Sequence, residues 1–87
     1  MTWRLVVAAP ARRDLARLPE KVAGAVVRTF DAIAADPHRV GKPLQREVRG
    51  LWSARRGPYR VIYRVDDDQA VVTVLGIGHR ADVYRRR

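Results

Sequence analysis

The chain has 87 residues, which is the length of one domain, and we expect a simple core about one layer thick. It carries 18 Lys and Arg, mostly arginine, against 9 Asp and Glu, and the formal net charge of +9 favours polyanionic partners such as nucleic acid. There is no cysteine, which excludes a disulfide framework, a thiolate metal site and a cysteine nucleophile.

The N-terminal half predicts one strand and two helices. Apolar and polar residues alternate over residues 2–9, which predicts a strand, and Pro10 follows it. Helical spacing predicts a short helix over residues 11–18, ended by Pro19, and a longer helix from Glu20 to about Ala35. The apolar face of the longer helix consists of Val22, Val26, Phe30 and Ile33.

The C-terminal half predicts three strands. Asp36 and Pro37 stop the second helix, because the residue before a proline disfavours the helical conformation. The following segments are predicted as a basic loop (38–46), a strand with a bulge near Gly50 (47–57), a second strand (58–65), an acidic turn (66–69), a central apolar strand (70–78) and a helical turn or tail (79–87).

This order of elements, β-α-α-β-β-β, predicts the α+β class. We expect a helical hairpin packed on one face of a mainly antiparallel sheet, with the other face left uncovered. In the strand 58–65, alternation places Arg60 and Arg64 on that uncovered face, about 13 Å apart at ~3.3 Å per residue. A group of arginines on an open sheet face suits a phosphate backbone, although each one alone is more typical of a solvated surface.

Three stretches resemble one known family. GKPL (41–44), SARRGPYRVIYRVDDD (53–68) and GHRADVYRR (78–86) are similar to the RelE-type toxins of the RelE/ParE superfamily, and the resemblance covers nearly the whole chain. It implies a metal-independent endoribonuclease that cuts messenger RNA in the ribosomal A site. In this family the ribose 2′-hydroxyl attacks the adjacent phosphate, and no cofactor or small-molecule ligand is required.

The resemblance also implies roles for individual residues. Arg60, in the family's YR dipeptide, would stabilise charge on the scissile phosphate, Arg80 would act near the leaving group, and Tyr84 would stack on a codon base. Arg55 would hold backbone phosphate. The further RNA contacts that we expect are Arg56, Arg64 and Lys42.

The chain departs from the family at the general base. Leu51 and Ser53 stand where RelE has lysines, one of which is the proposed base. Some relatives use a glutamate and a histidine, which makes Glu47 and His79 the candidates here. We prefer His79 because imidazole titrates near neutral pH, while catalysis without a strong base stays open.

The family implies a cognate antitoxin, which the net charge predicts to be acidic, together with the ribosome and messenger RNA as partners. Arg4 interrupts the first apolar run, so we expect no signal peptide or membrane contact and a cytoplasmic location. Two other functions stay open: a ParE-like inhibitor of DNA gyrase and a non-catalytic RNA- or ribosome-binding module. The combination of Arg60, Arg80 and Tyr84 favours cleavage.

Overall fold

The computed structural model describes residues 3–44 and 50–79, and within these ranges one strand is followed by three helices and then by four strands. Their bounds are β1 Arg4–Val7, α1 Ala9–Ala16, α2 Glu20–Ala35, α3 Pro37–Val40, β2 Lys42–Pro43, β3 Leu51–Arg56, β4 Tyr59–Asp66 and β5 Val71–His79. The predicted α+β class is confirmed.

The five strands form one sheet in the order β1-β5-β4-β3-β2. β1 pairs parallel to β5, whereas the remaining neighbours are antiparallel, so the sheet is mainly antiparallel as expected. The last strand, β5, is an interior strand as predicted, because it pairs with β1 on one side and with β4, the middle strand, on the other.

Both long helices pack on one face of the sheet, as the apolar spacing predicted. α1 lies against β5, and α2 contacts β1 and β3. α1 begins two residues earlier than predicted, because a proline fits the first turn of a helix, where its missing N–H is not needed. None of the described helices has the length and apolar character needed to cross a bilayer. The buried core consists of Ala11, Val26, Phe30, Ile33, Ala54, Val61, Tyr63, Val65, Val72, Val74 and Ile77.

The segment predicted as a basic loop contains two short elements instead. Pro37 starts the single turn α3, and its carbonyl accepts a 2.7 Å hydrogen bond from the buried Tyr63 hydroxyl. β2 follows at once and sets Lys42 opposite Ser53 on β3. Long-range contacts with the sheet therefore order a segment whose own sequence is typical of a turn.

The irregularity in the described sheet lies between β4 and β5 and not near Gly50. Ile62 pairs with Gly76 and Tyr63 with Val74, so Leu75 is an extra residue in β5. Gly50, with a φ of 76°, accepts a 3.1 Å hydrogen bond from the Val65 N–H and continues the ladder between β3 and β4.

Burial of Tyr63 predicts a loss of stability in strong alkali. Desolvation, with a smaller contribution from Asp36, raises the pKa of the Tyr63 hydroxyl from 10.0 to about 12, and a backbone hydrogen bond from Gly41 offsets part of this rise. Between pH 10 and 12, the Tyr63 hydroxyl loses its proton in the unfolded chain before it does so in the folded chain. The free energy of unfolding should therefore fall as pH rises from about 10 to 12, by about 2 to 3 kcal/mol from this group.

Urea unfolding at a series of pH values measures this loss, with Tyr63→Phe as the matched variant. We expect the variant to be less stable than the wild-type chain at pH 8, because the Pro37 carbonyl loses its donor. The free energy of unfolding of the variant should change less between pH 10 and 12 than that of the wild-type chain. Equal slopes in the two proteins would contradict the assignment to Tyr63.

Candidate active site on the open face of the sheet

The open face, which is the face opposite α1 and α2, brings two arginines together on neighbouring strands. Arg55 on β3 lies directly opposite Arg60 on β4, and Gly78 on β5 is the partner of Arg60 on its other side. Because Gly78 has no side chain, the sheet beside Arg60 presents bare backbone, which allows a ligand to approach closely. As predicted, β4 turns one face to the core and one face outward. Val61 and Tyr63 are buried, whereas Arg64 is exposed.

A groove with a volume of about 420 Å³ lies over this pair of arginines. Lys42, Ser53, Arg55 and Arg60 contribute its polar lining, and residues 40–44 complete its wall. No carboxylate or imidazole lines the groove among the described residues. The groove is therefore positively charged.

The two arginines make the groove suitable for phosphate. Like charges directly opposite each other on a sheet repel, and a bound anion relieves that repulsion. Arg60 is half-buried, which strengthens its electrostatic effect, while Arg55 is exposed. Each guanidinium can donate two parallel hydrogen bonds to a phosphate, so the pair can hold an RNA backbone and stabilise negative charge that develops on it.

The two positions where RelE has lysines lie on this same face. Ser53 is buried, lines the groove and pairs with Ile62, whereas Leu51 lies farther along β3 opposite Arg64. A serine hydroxyl and an aliphatic side chain do not act as bases near neutral pH. The described lining of the groove therefore offers positive charge, and neither Ser53 nor Leu51 supplies the base that a lysine supplies in RelE.

His79 does not join the arginine pair. It lies opposite Tyr59, and the two rings meet edge to face with centroids 6.1 Å apart. If β5 had no bulge at Leu75, alternation counted from the buried Val74 would place His79 on the open face. The bulge shifts this alternation by one residue, so His79 lies on the Tyr59 side of the sheet and away from Arg60.

The other predicted RNA-contacting residues divide between the two faces. Lys42 lines the groove through β2. Arg64 is on the open face but lies at the far end of β4, opposite Leu51. Its guanidinium lies close to Gly50, 3.7 Å from where a Cβ would stand if this glycine were replaced by alanine. Arg56 follows Ala54 on the helix-facing side of β3.

The remaining predicted site residues, Arg80, Tyr84 and Glu47, lie outside the described residues. Sequence reasoning missed the groove wall at residues 40–44, because β2 and α3 were expected to be loop. Alternation along β3 was the available signal for Ser53, since it places Ser53 on the same face as Arg55. Within residues 3–44 and 50–79, no three His, Cys, Asp or Glu side chains group closely enough to hold a metal ion.

Comparison with known proteins gives matches that cover most of the chain. The family model described as the ParE toxin of the type II toxin-antitoxin system, parDE, matches residues 5–84. Toxin RelG of Mycobacterium tuberculosis is 53% identical over 77 residues, which cover 87% of this chain and 88% of RelG. Toxin RelE of the same organism is 46% identical over 84 residues, which cover 95% of this chain and 87% of that toxin.

Among solved structures, the crystal structure of the toxin-antitoxin complex RelBE2 from M. tuberculosis contains a chain that superposes with a TM-score of 0.84 at 46% identity. The match covers 94% of this chain and 95% of the other. The agreement therefore extends from sequence to the full order of helices and strands. The chain belongs to the ParE toxin family of the RelE/ParE superfamily and is a RelE-type toxin of a type II toxin-antitoxin system.

Proposed function

We propose that the chain is a ribosome-dependent endoribonuclease that cuts messenger RNA in the ribosomal A site and thereby inhibits translation. The observation that carries this proposal is the pair Arg55 and Arg60 at the floor of a basic groove on the open face. Cleavage of an RNA backbone needs stabilisation of the negative charge that develops at the scissile phosphate, and a pair of arginines can supply it.

In the proposed reaction, the ribose 2′-oxygen attacks the adjacent phosphorus and the bond from phosphorus to the 5′-oxygen breaks. The products are a 2′,3′-cyclic phosphate and a 5′-hydroxyl. Arg60 stabilises the additional negative charge of the pentacoordinate phosphate, and Arg55 with Lys42 holds neighbouring phosphates. By family resemblance, Arg80 acts near the leaving 5′-oxygen, while Tyr84 stacks on a base and orients the 2′-hydroxyl.

Proton transfer in this proposal does not depend on His79. The register places His79 with Tyr59 on the opposite side of the sheet, and the described groove contains no other imidazole and no carboxylate. Water accepts the 2′-hydroxyl proton, and a proton returns to the leaving 5′-oxygen. Charge stabilisation and positioning then supply most of the acceleration, which predicts slower chemistry than a site with a matched base would give.

The proposed partners are the ribosome, messenger RNA and a cognate antitoxin. The related M. tuberculosis chain was solved as a toxin-antitoxin complex, which supports an antitoxin for this chain as well. The net charge of +9 favours an acidic antitoxin, because opposite charges accelerate and orient association. Action on ribosomes also places the protein in the cytoplasm.

Primer extension on cellular messenger RNA tests the proposal. We expect induced expression of the chain in a bacterial host to arrest growth and to create new 5′ ends within translated codons. Purified chain should cut the same message when it is bound to ribosomes and leave it intact when ribosomes are absent. Arrested growth with intact messages would contradict the proposal.

The family description, which names ParE, keeps gyrase inhibition as the second candidate. A gyrase assay on supercoiled plasmid separates the two functions. Trapped gyrase-DNA cleavage complexes with no new ends in messenger RNA would identify a gyrase inhibitor.

A further inference from the structure

The position of Arg56 reveals a second basic surface on the chain. Arg56 lies on the helix-facing side of β3, one residue beyond Arg55, where the strand runs past the packed core. There it borders a groove of about 370 Å³ between α2 and β3, lined by Arg28, Thr29, Ala32, Val40, Arg55 and Arg56. We call this the α2–β3 groove.

α2 contributes one side of this groove through residues within a single turn. Arg28 and Ala32 are four residues apart on the same side of α2, and both line the groove. The Arg28 side chain extends toward the N-terminus of α2. Its guanidinium lies 3.8 Å from where a Cβ would stand if Gly24 were replaced by alanine. The Thr29 hydroxyl donates to the Ala25 carbonyl at 3.0 Å, so the arginines supply the donors that face the groove.

The charge of the α2–β3 groove selects an anion. Three arginines line it, Arg28, Arg55 and Arg56, and all three side chains are exposed. In the part of the chain that the structure describes, none of the three forms an ion pair within 4.0 Å of a carboxylate. Three cations around one groove repel each other, and a bound anion removes that cost.

Two observations favour RNA over an acidic peptide. Two of the six lining residues are aliphatic, Ala32 and Val40, whereas an amphipathic peptide helix needs an extended apolar groove for its anchors. The α2–β3 groove also shares Val40 and Arg55 with the groove over Arg60, so the two basic surfaces adjoin. A chain of regularly spaced phosphates can occupy both surfaces at once.

We propose that the α2–β3 groove binds the phosphodiester backbone of RNA, so that RNA held at Arg60 continues past Arg55 to Arg56 and Arg28. Arginine is the residue for this task because its planar fork donates two hydrogen bonds to one phosphate. The backbone belongs either to the message or to ribosomal RNA. This inference rests on the proposed function in taking RNA as the anion, but its test measures binding and not cleavage.

The test uses single-stranded RNA of 12 nucleotides, with every 2′-hydroxyl methylated to prevent cleavage, and fluorescence anisotropy as the readout. We expect the double variant Arg28→Ala with Arg56→Ala to bind this RNA, or to bind vacant ribosomes in a sedimentation assay, at least about tenfold more weakly. Loss of two phosphate contacts should also reduce the slope of log K against log[salt] for oligonucleotide binding. The magnitude of the slope should fall by about 1.4, at roughly 0.7 per contact for single strands.

Two control variants separate local contacts from net charge and from folding. Arg13→Ala with Arg17→Ala removes the same charge from exposed positions at α1 and should change either affinity by less than about threefold. Arg28→Lys with Arg56→Lys retains the charge and should recover part of the affinity.

Each outcome decides the inference. Weaker binding to the oligonucleotide identifies the message as the source of the phosphates, while weaker binding to ribosomes alone identifies ribosomal RNA. Unchanged affinity for both would overturn the inference, and so would a loss seen only with an acidic peptide. A chain that binds RNA in this way but fails to cut it would refute the proposed function and leave this inference standing.

Discussion

Arg60→Ala is expected to reduce the rate of messenger RNA cleavage on programmed ribosomes by about 100- to 1000-fold, the range measured when one donor is removed from an oxyanion site. Arg60 is the half-buried member of the pair on the open face, and its partner on β5, Gly78, has no side chain. The substitution removes the Arg60 guanidinium, which is the group best placed to stabilise negative charge in the transition state. Expression of the variant should no longer arrest growth.

Single-turnover cleavage measured by primer extension gives the rate for each variant. Arg60→Lys keeps the charge but loses the two-pronged donor, so its rate should fall between those of wild type and Arg60→Ala. Arg13→Ala removes one exposed arginine from α1 and should cut at the wild-type rate. A folded Arg60→Ala protein that still cuts at the wild-type rate would show that the site is elsewhere.

His79→Ala is the informative comparison in the same assay. Its ring lies against Tyr59 on the other side of the sheet, so we expect a loss below about tenfold, much less than for a general base. A loss as large as that of Arg60→Ala in a variant that stays folded would restore His79 as the base.

The contrast between Arg60 and His79 shows how far local sequence can predict this site. β4 has one face against the helices and one open, so its alternation is regular and the direction of Arg60 follows from the sequence. The direction of His79 depends on Leu75, the extra residue in β5, and an apolar run such as VLGIG gives no sign of a bulge. A shift of one residue in a strand exchanges its faces, so a small local change moved a predicted catalytic residue away from the site.

The groove wall was not predictable for a different reason. α3 and β2 are short, and both are held by contacts with residues that are distant in sequence: Pro37 by Tyr63, and Lys42 by Ser53 on β3. Local propensity favours a turn in this segment because it contains glycine and two prolines. That Arg55 and Arg56 face opposite sides of the sheet was predictable, because both lie in the predicted strand 47–57 and successive residues of a strand alternate between its faces.

Gly41→Ala is expected to destabilise the fold by about 2 to 4 kcal/mol, the range for overpacking a buried site that also carries a hydrogen bond. Gly41 is buried between α3 and β2, and its extended backbone, with φ of −111°, suits any residue. The obstacle is space. An added Cβ would overlap the Tyr63 hydroxyl and lie 2.9 Å from the Ser53 carbonyl oxygen.

Neither neighbour of Gly41 can move at low cost. The Ser53 carbonyl belongs to β3, which is paired on both sides, and Tyr63 is fully buried with its hydroxyl donating to the Pro37 carbonyl. Relief of the overlap would separate α3 from the sheet and open the wall of the groove over Arg60. A domain of this size has about 5 to 10 kcal/mol of stability, so the loss is a large fraction of the total.

Urea unfolding measures the effect, and Gly24→Ala is the matched control. At Gly24 the nearest group is the flexible Arg28 guanidinium, 3.8 Å away, so the same added methyl group should stabilise α2 by about 0.5 to 1 kcal/mol. In a Tyr63→Phe background the hydroxyl that overlaps the new Cβ is gone, and Gly41→Ala should cost less than it does in the wild-type chain. If the cost of Gly41→Ala is the same in both backgrounds, the Tyr63 hydroxyl is not the obstacle, and Gly41 is constrained by the Ser53 carbonyl oxygen and by the Tyr63 ring, whose Cζ lies 3.1 Å from the added Cβ.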